Sequence, residues 1–367
     1  MTPKNDTSQH LFALILAGGM GTRLWPRSRR SLPKQLLNIV TANTMLQDTC
    51  RRIEPLIPVA RTLVVTNRAY APLVQAQVPD LAPSNVLIEP AGRGTAPCIG
   101  LSALHLKRTD PESIMASLNS DHVILDAAGF RSALEAAAVM AERGYLVTLG
   151  IQPDSPHTGY GYIQQGEQIE TIDGYPIFRV KRFKEKPSLD TAKQFLAGQD
   201  HLWNSGIFVW KVAALMDAFR QYMPEFYGQL MNIDAAIGTE RENQVLQEVW
   251  QQIETMSVDI GVLEKADNVV VIPLSVGWND VGSWAQLPDI LPADQDGNVT
   301  IGANHVGIDT NNSLLYASSD RLIATIGLQD MIVVDTDDVV LICPKSRAQD
   351  IKQIIAELER QNKEHYL

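Results

Sequence analysis

The sequence is short of the features that mark membrane, secreted and nucleic-acid-binding proteins. No apolar run approaches the ~20 residues that would span a bilayer, and the first ten residues lack the basic-then-apolar order of a signal peptide. The three cysteines, Cys50, Cys98 and Cys343, are far apart, odd in number and without a CxxC pair. That argues against a disulfide framework or structural zinc and for small core thiols in a reducing compartment. Positive charge is scarce: 31 Lys and Arg against 42 Asp and Glu give a net charge of −11. A phosphate backbone needs a basic surface, so no nucleic-acid polymer is expected as a partner. The seven histidines show no HxxxH spacing, and no Ser-His-Asp set or nucleophile elbow is apparent. Together these absences predict a cytoplasmic protein with no membrane partner, while 45% hydrophobic residues predict a well-filled core.

What is present begins with an apolar run over 11–17, which reads as a strand covered on both faces. LAGGMGTRLWP (16–26) follows it, and Lys34 lies within PKQLL (33–37). Gly18, Gly19 and Gly21 allow a tight turn that offers bare N–H groups to an anion. Arg23 can fork onto phosphate oxygens, and Lys34 can act as a mobile point charge. The pattern is neither G-x-G-x-x-G, since the third glycine is missing, nor a P-loop, since no Gly-Lys-Ser/Thr opens a helix. An ordinary Gly-rich turn flanked by solvated cations is the competing reading.

β-type runs at 62–66, 86–88, 114–118 and 145–149 alternate with helical stretches near 44–54, 68–77, 95–107 and 130–142. Such alternation predicts an α/β fold with a mostly parallel sheet, and ligands at the carboxyl ends of its strands. From about 151 the pattern loosens into strands at 160–165, 177–183 and 205–210 and polar helices at 189–198 and 212–254. After Pro292, short β runs at 304–309, 313–317, 321–326, 331–335 and 338–342 suggest a small β-solenoid or roll without a strict repeat, closed by an amphipathic helix at 347–363. The expected division is a disordered tail at 1–10, one domain over 11–291 and a second over 292–367. The first domain would hold a nucleotide half (about 11–150) and an acceptor half (about 151–291).

Two aspartates are candidate ligands for Mg²⁺, which takes one or two carboxylates plus substrate oxygens and water. Asp121 follows the 114–118 strand, and Asp280 sits in GWNDVGSW (277–284). For either, an N-cap or turn role competes, and a short helix at 282–287 makes capping by Asp280 concrete. In FKEKP (183–187), strand alternation would put Phe183 and Glu185 on one face and Lys184 and Lys186 on the other. Glu185 could accept from sugar hydroxyls, and Lys186 could neutralise a sugar phosphate. TGYGYI (158–163) and WNSGIF (203–208) set glycine beside polar and aromatic groups, and EPAGRGTAPC (89–98) leads into a helix whose entry offers N–H donors.

These segments, with SVDIGVLEK (257–265), resemble the sugar nucleotidyltransferases, most closely the bacterial mannose-1-phosphate guanylyltransferases. The resemblance covers about 11–345. It implies a Rossmann-like nucleotidyltransferase domain with a mixed, mostly parallel sheet, followed by a short left-handed β-helix. It also implies GMP transfer from GTP to mannose 1-phosphate, assisted by Mg²⁺; the homodimer is expected separately, from an apolar edge of the β-solenoid. By the same resemblance Leu16, Ala17, Gly18, Gly19, Gly21, Thr22, Arg23 and Lys34 would hold the nucleotide and its phosphates. Arg93, Gly94 and Thr95 would lie near guanine and ribose. Asp121 and Asp280 would hold the metal. Gly161, Glu185 and Asn204 would bind mannose, with Lys186 on its phosphate, and Arg23, Lys34 and Lys186 would act in catalysis. Ile260-Gly261 departs from the family pattern and leaves the role of Asp259 open. Many relatives carry a further cupin-like isomerase domain; isomerase activity is not expected here. The alternatives are a sister enzyme using UTP, dTTP or ATP with glucose 1-phosphate, and a non-catalytic subunit that senses a sugar nucleotide.

Overall fold

The computed structural model describes residues 7–367. They divide into two compact units, and packing groups the chain differently from its serial order. The first unit comprises the chain up to Gly18, Cys50–Asn119 and Ile124–Trp278; the second comprises Gly19–Thr49, Ser120–Val123 and Asn279–Leu367. The tail expected to be disordered is structured where it is described: Thr7–His10 form a 3-10 turn, and His10 Nδ1 lies 2.6 Å from Asp110 Oδ2. Residues 1–6 of that tail lie outside the described residues.

The first unit is built on one nine-stranded mixed sheet. Its strands are β1 (Leu11–Leu16), β2 (Thr62–Asn67), β3 (Val86–Glu89), β4 (Ile114–Asn119), β5 (Leu146–Ile151), β6 (Tyr162–Ile172), β7 (Tyr175–Lys184), β8 (His201–Lys211) and β9 (Val269–Leu274). The spatial order is β3-β2-β1-β4-β8-β5-β9-β7-β6. The block β3-β2-β1-β4 is parallel throughout, as is the pair β5 and β9. β8 runs antiparallel between β4 and β5, and the β6–β7 hairpin closes the far side. Runs such as LFALIL in β1 and LVTLGI in β5 are buried nearly end to end, because neighbours cover both faces.

The stretch 212–254 is three helices, Val212–Tyr222, Pro224–Ala236 and Glu242–Gln252. Pro224 opens the second, where its missing N–H costs nothing. Phe219, Phe226, Leu230 and Trp250 from these helices share a core with Leu101 and Leu104 of the helix Thr95–Thr109 and with Leu14 and Trp210 of the sheet. Each such side chain contributes roughly 1.5–3 kcal/mol when fully buried.

In the second unit β10 (Val299–Ile301), β12 (Leu314–Ala317) and β14 (Met331–Asp335) stack in parallel, with β15 (Val340–Pro344) antiparallel on β14. β11 (Asn304–Ile308) and β13 (Leu322–Ile326) form a second parallel stack. Leu314 pairs with Ile332 and Asn304 with Leu322, eighteen residues apart, whereas Val299 pairs with Leu314, fifteen apart, so the coils of this short β-helix differ in length. Left-handed backbone recurs at the eighteen-residue spacing, at Asp309 (φ 51°) and Gly327 (φ 65°) and at Asn312 (φ 46°) and Asp330 (φ 54°). Leu314, Tyr316, Ile332 and Val334 face inward and pack with Leu24, Trp25, Leu37 and Trp284. The closing helix, Ile351–Arg360, is shorter than expected and follows a 3-10 turn over Lys345–Asp350.

Among the described residues, no helix is long and apolar enough to cross a membrane. All three cysteines are free, and burial pushes the thiols of Cys50 and Cys98 up to about 12, which keeps both in the unreactive thiol form.

Candidate active site

In the second unit the glycine loop and one lysine are fitted together. Gly21 has φ +63°, and a Cβ added to it would stand 2.2 Å from Cβ of Lys34. Around Gly19 nothing lies within 4 Å of the added carbon, so that stretch of backbone is open to approach. The loop is held from behind by Ser28 Oγ, which donates to the carbonyl of Met20 at 2.6 Å. Lys34 is fixed and buried rather than mobile, with a side chain 5% exposed. Its ammonium donates to Asp121 Oδ2 at 2.8 Å and to the main-chain carbonyl of Asp280 at 2.5 Å. Three residues singled out from sequence therefore meet at one point.

Burial pushes the Asp121 carboxyl up, but the Lys34 ammonium, aided by His122, more than offsets this and holds it below the usual carboxylate range. Asp280 Oδ1 accepts from the Gly282 N–H at 3.2 Å and from Gln286 Nε2 at 2.9 Å. Asp280 closes a turn and is not a helix cap, since Ser283 occupies the N-cap of the 3-10 turn Trp284–Asp289. Arg23, in the 3-10 turn Thr22–Leu24, donates to Gln349 Oε1 at 3.2 Å.

The first unit holds the remaining candidates. Leu16 ends β1; Ala17 then donates to the Val65 carbonyl at 2.9 Å and accepts from Thr66 Oγ1 at 2.8 Å. A Cβ on Gly18 would come within 2.7 Å of Glu89 Oε1. Arg93, Gly94 and Thr95 form the entry of the helix Thr95–Thr109, with Gly94 (φ +85°) at the N-cap. The Thr95 hydroxyl accepts from the Val258 N–H at 2.9 Å. Two backbone bonds, Met256 N–H to Arg93 O at 2.9 Å and Ala96 N–H to Met256 O at 3.1 Å, complete the seam. The helix entry is thereby stitched to the residues that lead into Asp259.

Asn204 Nδ2 donates to Asp259 Oδ1 at 2.8 Å, while Asn204 Oδ1 accepts from Thr148 Oγ1 at 3.3 Å and from the Gly206 N–H at 3.1 Å. Gly161 sits against the same group: a Cβ there would be 2.5 Å from Glu185 Oε2 and 3.3 Å from Asn204 Cβ. Gly161, Glu185 and Asn204 are thus brought together, and Asp259 joins them. Burial first, then the charge of Glu185, pushes the Asp259 carboxyl up to about 6. The alternation expected through FKEKP does not hold, because β7 ends at Lys184. Lys186 adopts φ 43° and turns its ammonium back to Glu185 Oε1 at 2.5 Å.

A family model described as nucleotidyl transferase matches residues 12–297. The chain belongs to the nucleotidyl transferase family. A second model, described as MannoseP isomerase/GMP-like beta-helix domain, matches residues 303–358 of this nucleotidyl transferase. It is 38% identical over 356 residues to the mannose-1-phosphate guanylyltransferase of Escherichia coli, covering 95% of this chain and 73% of that protein. It is 39% identical over 351 residues to the xanthan biosynthesis protein XanB of Xanthomonas campestris, covering 94% and 73%. A crystal structure from Thermus thermophilus described as mannose-1-phosphate geranyltransferase superposes with a TM-score of 0.85 at 33% identity, over 95% of this chain and 99% of that one. Within its family the chain therefore belongs with the mannose-1-phosphate guanylyltransferases.

Three residues of this nucleotidyl transferase escaped assignment from sequence. Asp259 was left open because its neighbours depart from the family pattern, yet its bond to Asn204 joins it to the cluster of Gly161, Glu185 and Asn204. Glu264 Oε1 accepts from the Glu185 N–H at 3.3 Å. Glu89, the first residue of EPAGRGTAPC, ends β3, and its place before a proline was the available signal. Among the described residues no group of three His, Cys, Asp or Glu side chains could hold a metal by itself. Asp121 and Asp280 together supply two hard carboxylates, a donor set that suits a cation completing its shell from phosphate and water and does not suit a closed zinc site.

Proposed function

We propose that this nucleotidyl transferase forms GDP-mannose and pyrophosphate from GTP and mannose 1-phosphate. The observation that carries the reading is the buried Lys34 ammonium joined to Asp121 and to the carbonyl of Asp280, directly against Gly21. At that depth the ammonium and the Asp121 carboxylate satisfy each other, and the lysine fixes the carboxylate in place. Asp121 and Asp280 are assigned as the ligands of Mg²⁺, which when bound would neutralise charge on the triphosphate. The N–H groups of Gly19 and Gly21, with Arg23, are assigned to the phosphates. In the first unit Glu185 and Asn204 are assigned to mannose hydroxyls, Asp259 to the orientation of Asn204, and Lys186 to the sugar phosphate. A phosphate monoester, with a second pKa of about 6, is largely ionised near pH 7, so in-line attack on the α-phosphorus needs no general base. Alignment and charge neutralisation then carry the rate.

Pyrophosphate release from purified protein tests this, with Mg²⁺ and mannose 1-phosphate against GTP, UTP, dTTP and ATP, and with glucose 1-phosphate in place of the mannose ester. Release that requires GTP and prefers mannose 1-phosphate is the expected outcome; release with another pair would reassign the specificity, and none with any pair would favour a sensing subunit.

A homodimer is part of the same reading. Val306 and Ile308 on β11 and Leu322 and Ile326 on β13 are exposed on one face of the β-helix, with Ile308 beside Ile326. An apolar strip of this kind suits a second copy of the chain. Sedimentation of Ile308→Lys/Ile326→Lys should give a monomer where the parent gives a dimer.

A further inference from the structure

A cavity of about 290 Å³ opens in the first unit among the helices Thr95–Thr109, Val212–Tyr222 and Pro224–Ala236 and the segment 253–265. None of the residues assigned to nucleotide, metal or sugar phosphate lines it. Much of its lining is apolar: Met223, Phe226, Ile253 and Met256 contribute, and Phe226 and Ile253 belong to the core. Its charged lining is Glu225, Glu254 and Lys265, all exposed, so carboxylates outnumber ammonium groups. Among the described residues neither carboxylate has a partner. The same lining reaches the cluster around Asn204. Met256 holds the helix entry through Arg93 and Ala96, and Gly261 lies in the π-helical turn Asp259–Leu263. A Cβ on Gly261 would stand 2.5 Å from Sδ of Met223, so that turn packs directly on the cavity wall. Single π-helical turns are rare and frequently sit at functional sites.

We propose that this cavity is an effector site for a small organic cation with an aromatic body, and that its occupancy is felt at Asp259. The volume lies at the small end of ligand pockets, which fits one ring with a short chain and excludes a sugar nucleotide. The sulfurs of Met223 and Met256 and the ring of Phe226 offer an aromatic body favourable contacts, and methionine adapts to its outline. An ammonium on the chain meets Glu225 and Glu254, whereas an anion of the same shape meets two like charges. Exposed ion pairs are weak, so the apolar body supplies the affinity and the acids select the sign of charge. A ligand beside Met223 fixes that sulfur against Gly261, and with it the turn that carries Asp259, whose bond to Asn204 reaches the acceptor cluster. Coupling follows to the extent that the ligand favours one arrangement of the turn.

Phenethylamine and 3-phenylpropionate share one body and differ in charge, and calorimetric titration of the full chain with each tests the site. Phenethylamine is expected to bind roughly fivefold tighter or more, the scale of two weak ion pairs exchanged for two repulsions. Glu225→Gln/Glu254→Gln should bring the probes within about twofold of each other, and both side chains are exposed, so the variant keeps the fold. Equal binding of the two probes by the parent, an unchanged preference in the variant, or no binding of phenethylamine up to about 10 mM would overturn the site. Hydrogen exchange at the amides of 259–263 reads the link to Asp259 without turnover: phenethylamine should slow it in the parent and not in the variant, and unchanged exchange in the parent overturns the link. In the pyrophosphate assay, saturating phenethylamine should shift the KM for mannose 1-phosphate by roughly fivefold, within ordinary coupling energies, and an unchanged KM overturns the effector role. That last comparison rests on mannose 1-phosphate being the acceptor; a protein inactive with it fails the proposed reaction, while calorimetry and exchange still decide the site.

Discussion

Gly21 and Lys34 occupy one space: the side-chain carbon that Gly21 lacks would stand 2.2 Å from Cβ of Lys34. The glycine is required twice over, for a backbone at φ +63° and for the lysine stem that passes beside it. Gly21→Ala should therefore displace Lys34 from Asp121. We expect kcat/KM for pyrophosphate release to fall at least about 100-fold, and stability to fall by roughly 1–3 kcal/mol, the usual scale of backbone strain at such a position. Steady-state kinetics beside urea unfolding would separate the two effects.

Lys34→Met keeps the stem and removes the charge. Activity should drop by about two orders of magnitude or more, as for a lost phosphate-site cation. The same variant changes the acid limb of stability. Asp121 is held below its ordinary value in the folded state, so its contribution is present above the unfolded-state pKa and is lost as pH falls through the folded-state pKa. Urea midpoints measured from pH 7 downward should show that loss in the parent and a weaker one in the variant.

Asp259→Asn should separate function from stability. With its pKa raised to about 6, Asp259 favours folding most below the unfolded value and costs stability as pH rises through about 6. An asparagine avoids that cost, so the variant should be more stable at pH 7, by up to about 3 kcal/mol, and should lose this pH dependence. The KM for mannose 1-phosphate should rise by tenfold or more, because Asn204 loses a charged partner. A variant equally stable at pH 5 and pH 7 but unchanged in KM would count against Asp259 as a positioning residue.

The end of the chain braces the start of the second unit. Trp25 Nε1 donates to the Tyr366 carbonyl at 2.6 Å, and Arg30 bridges Glu359 at 2.5 Å and Glu364 at 3.1 Å. Removing residues 361–367 strands the Trp25 N–H, and differential scanning calorimetry should show a loss of about 1–3 kcal/mol, the cost of one buried unsatisfied donor.

Much of this was legible in the sequence, for physical reasons that also say where reading stops. β1, β2 and β4 announce themselves as apolar runs because both their faces are covered, and the glycine loop because bare backbone has few other uses. β9 was passed over although VVVIPL is as apolar as β1; the proline at 273 and the isolated position after a helical stretch hid a strand that lies inside the sheet between β5 and β7. Alternation in FKEKP failed because a strand's end is set by its partner, here by a hairpin whose pairing stops at Lys184. Asp121, Asp280 and Lys34 were each legible as candidates, but their meeting was not, since 246 residues separate Lys34 from Asp280. Asp259 was missed because what marks it is a partner gained, its bond to Asn204, which leaves no trace in spacing.

The eighteen-residue coil went unseen because its inward positions share burial and not identity or size: Leu314 answers Ile332 and Tyr316 answers Val334. Only the corner residues, Asp309 with Gly327 and Asn312 with Asp330, keep the backbone geometry in common. Such a coil sets a quantum of growth. The stack can lengthen by whole coils, each adding about 4.8 Å along its axis and leaving every earlier pairing intact, and a coil holds fifteen residues, as from Val299 to Leu314, or eighteen. An insertion of one residue within a strand would instead turn the inward set outward from that point on. Length variation at this end should therefore come in complete coils or fall at the corners.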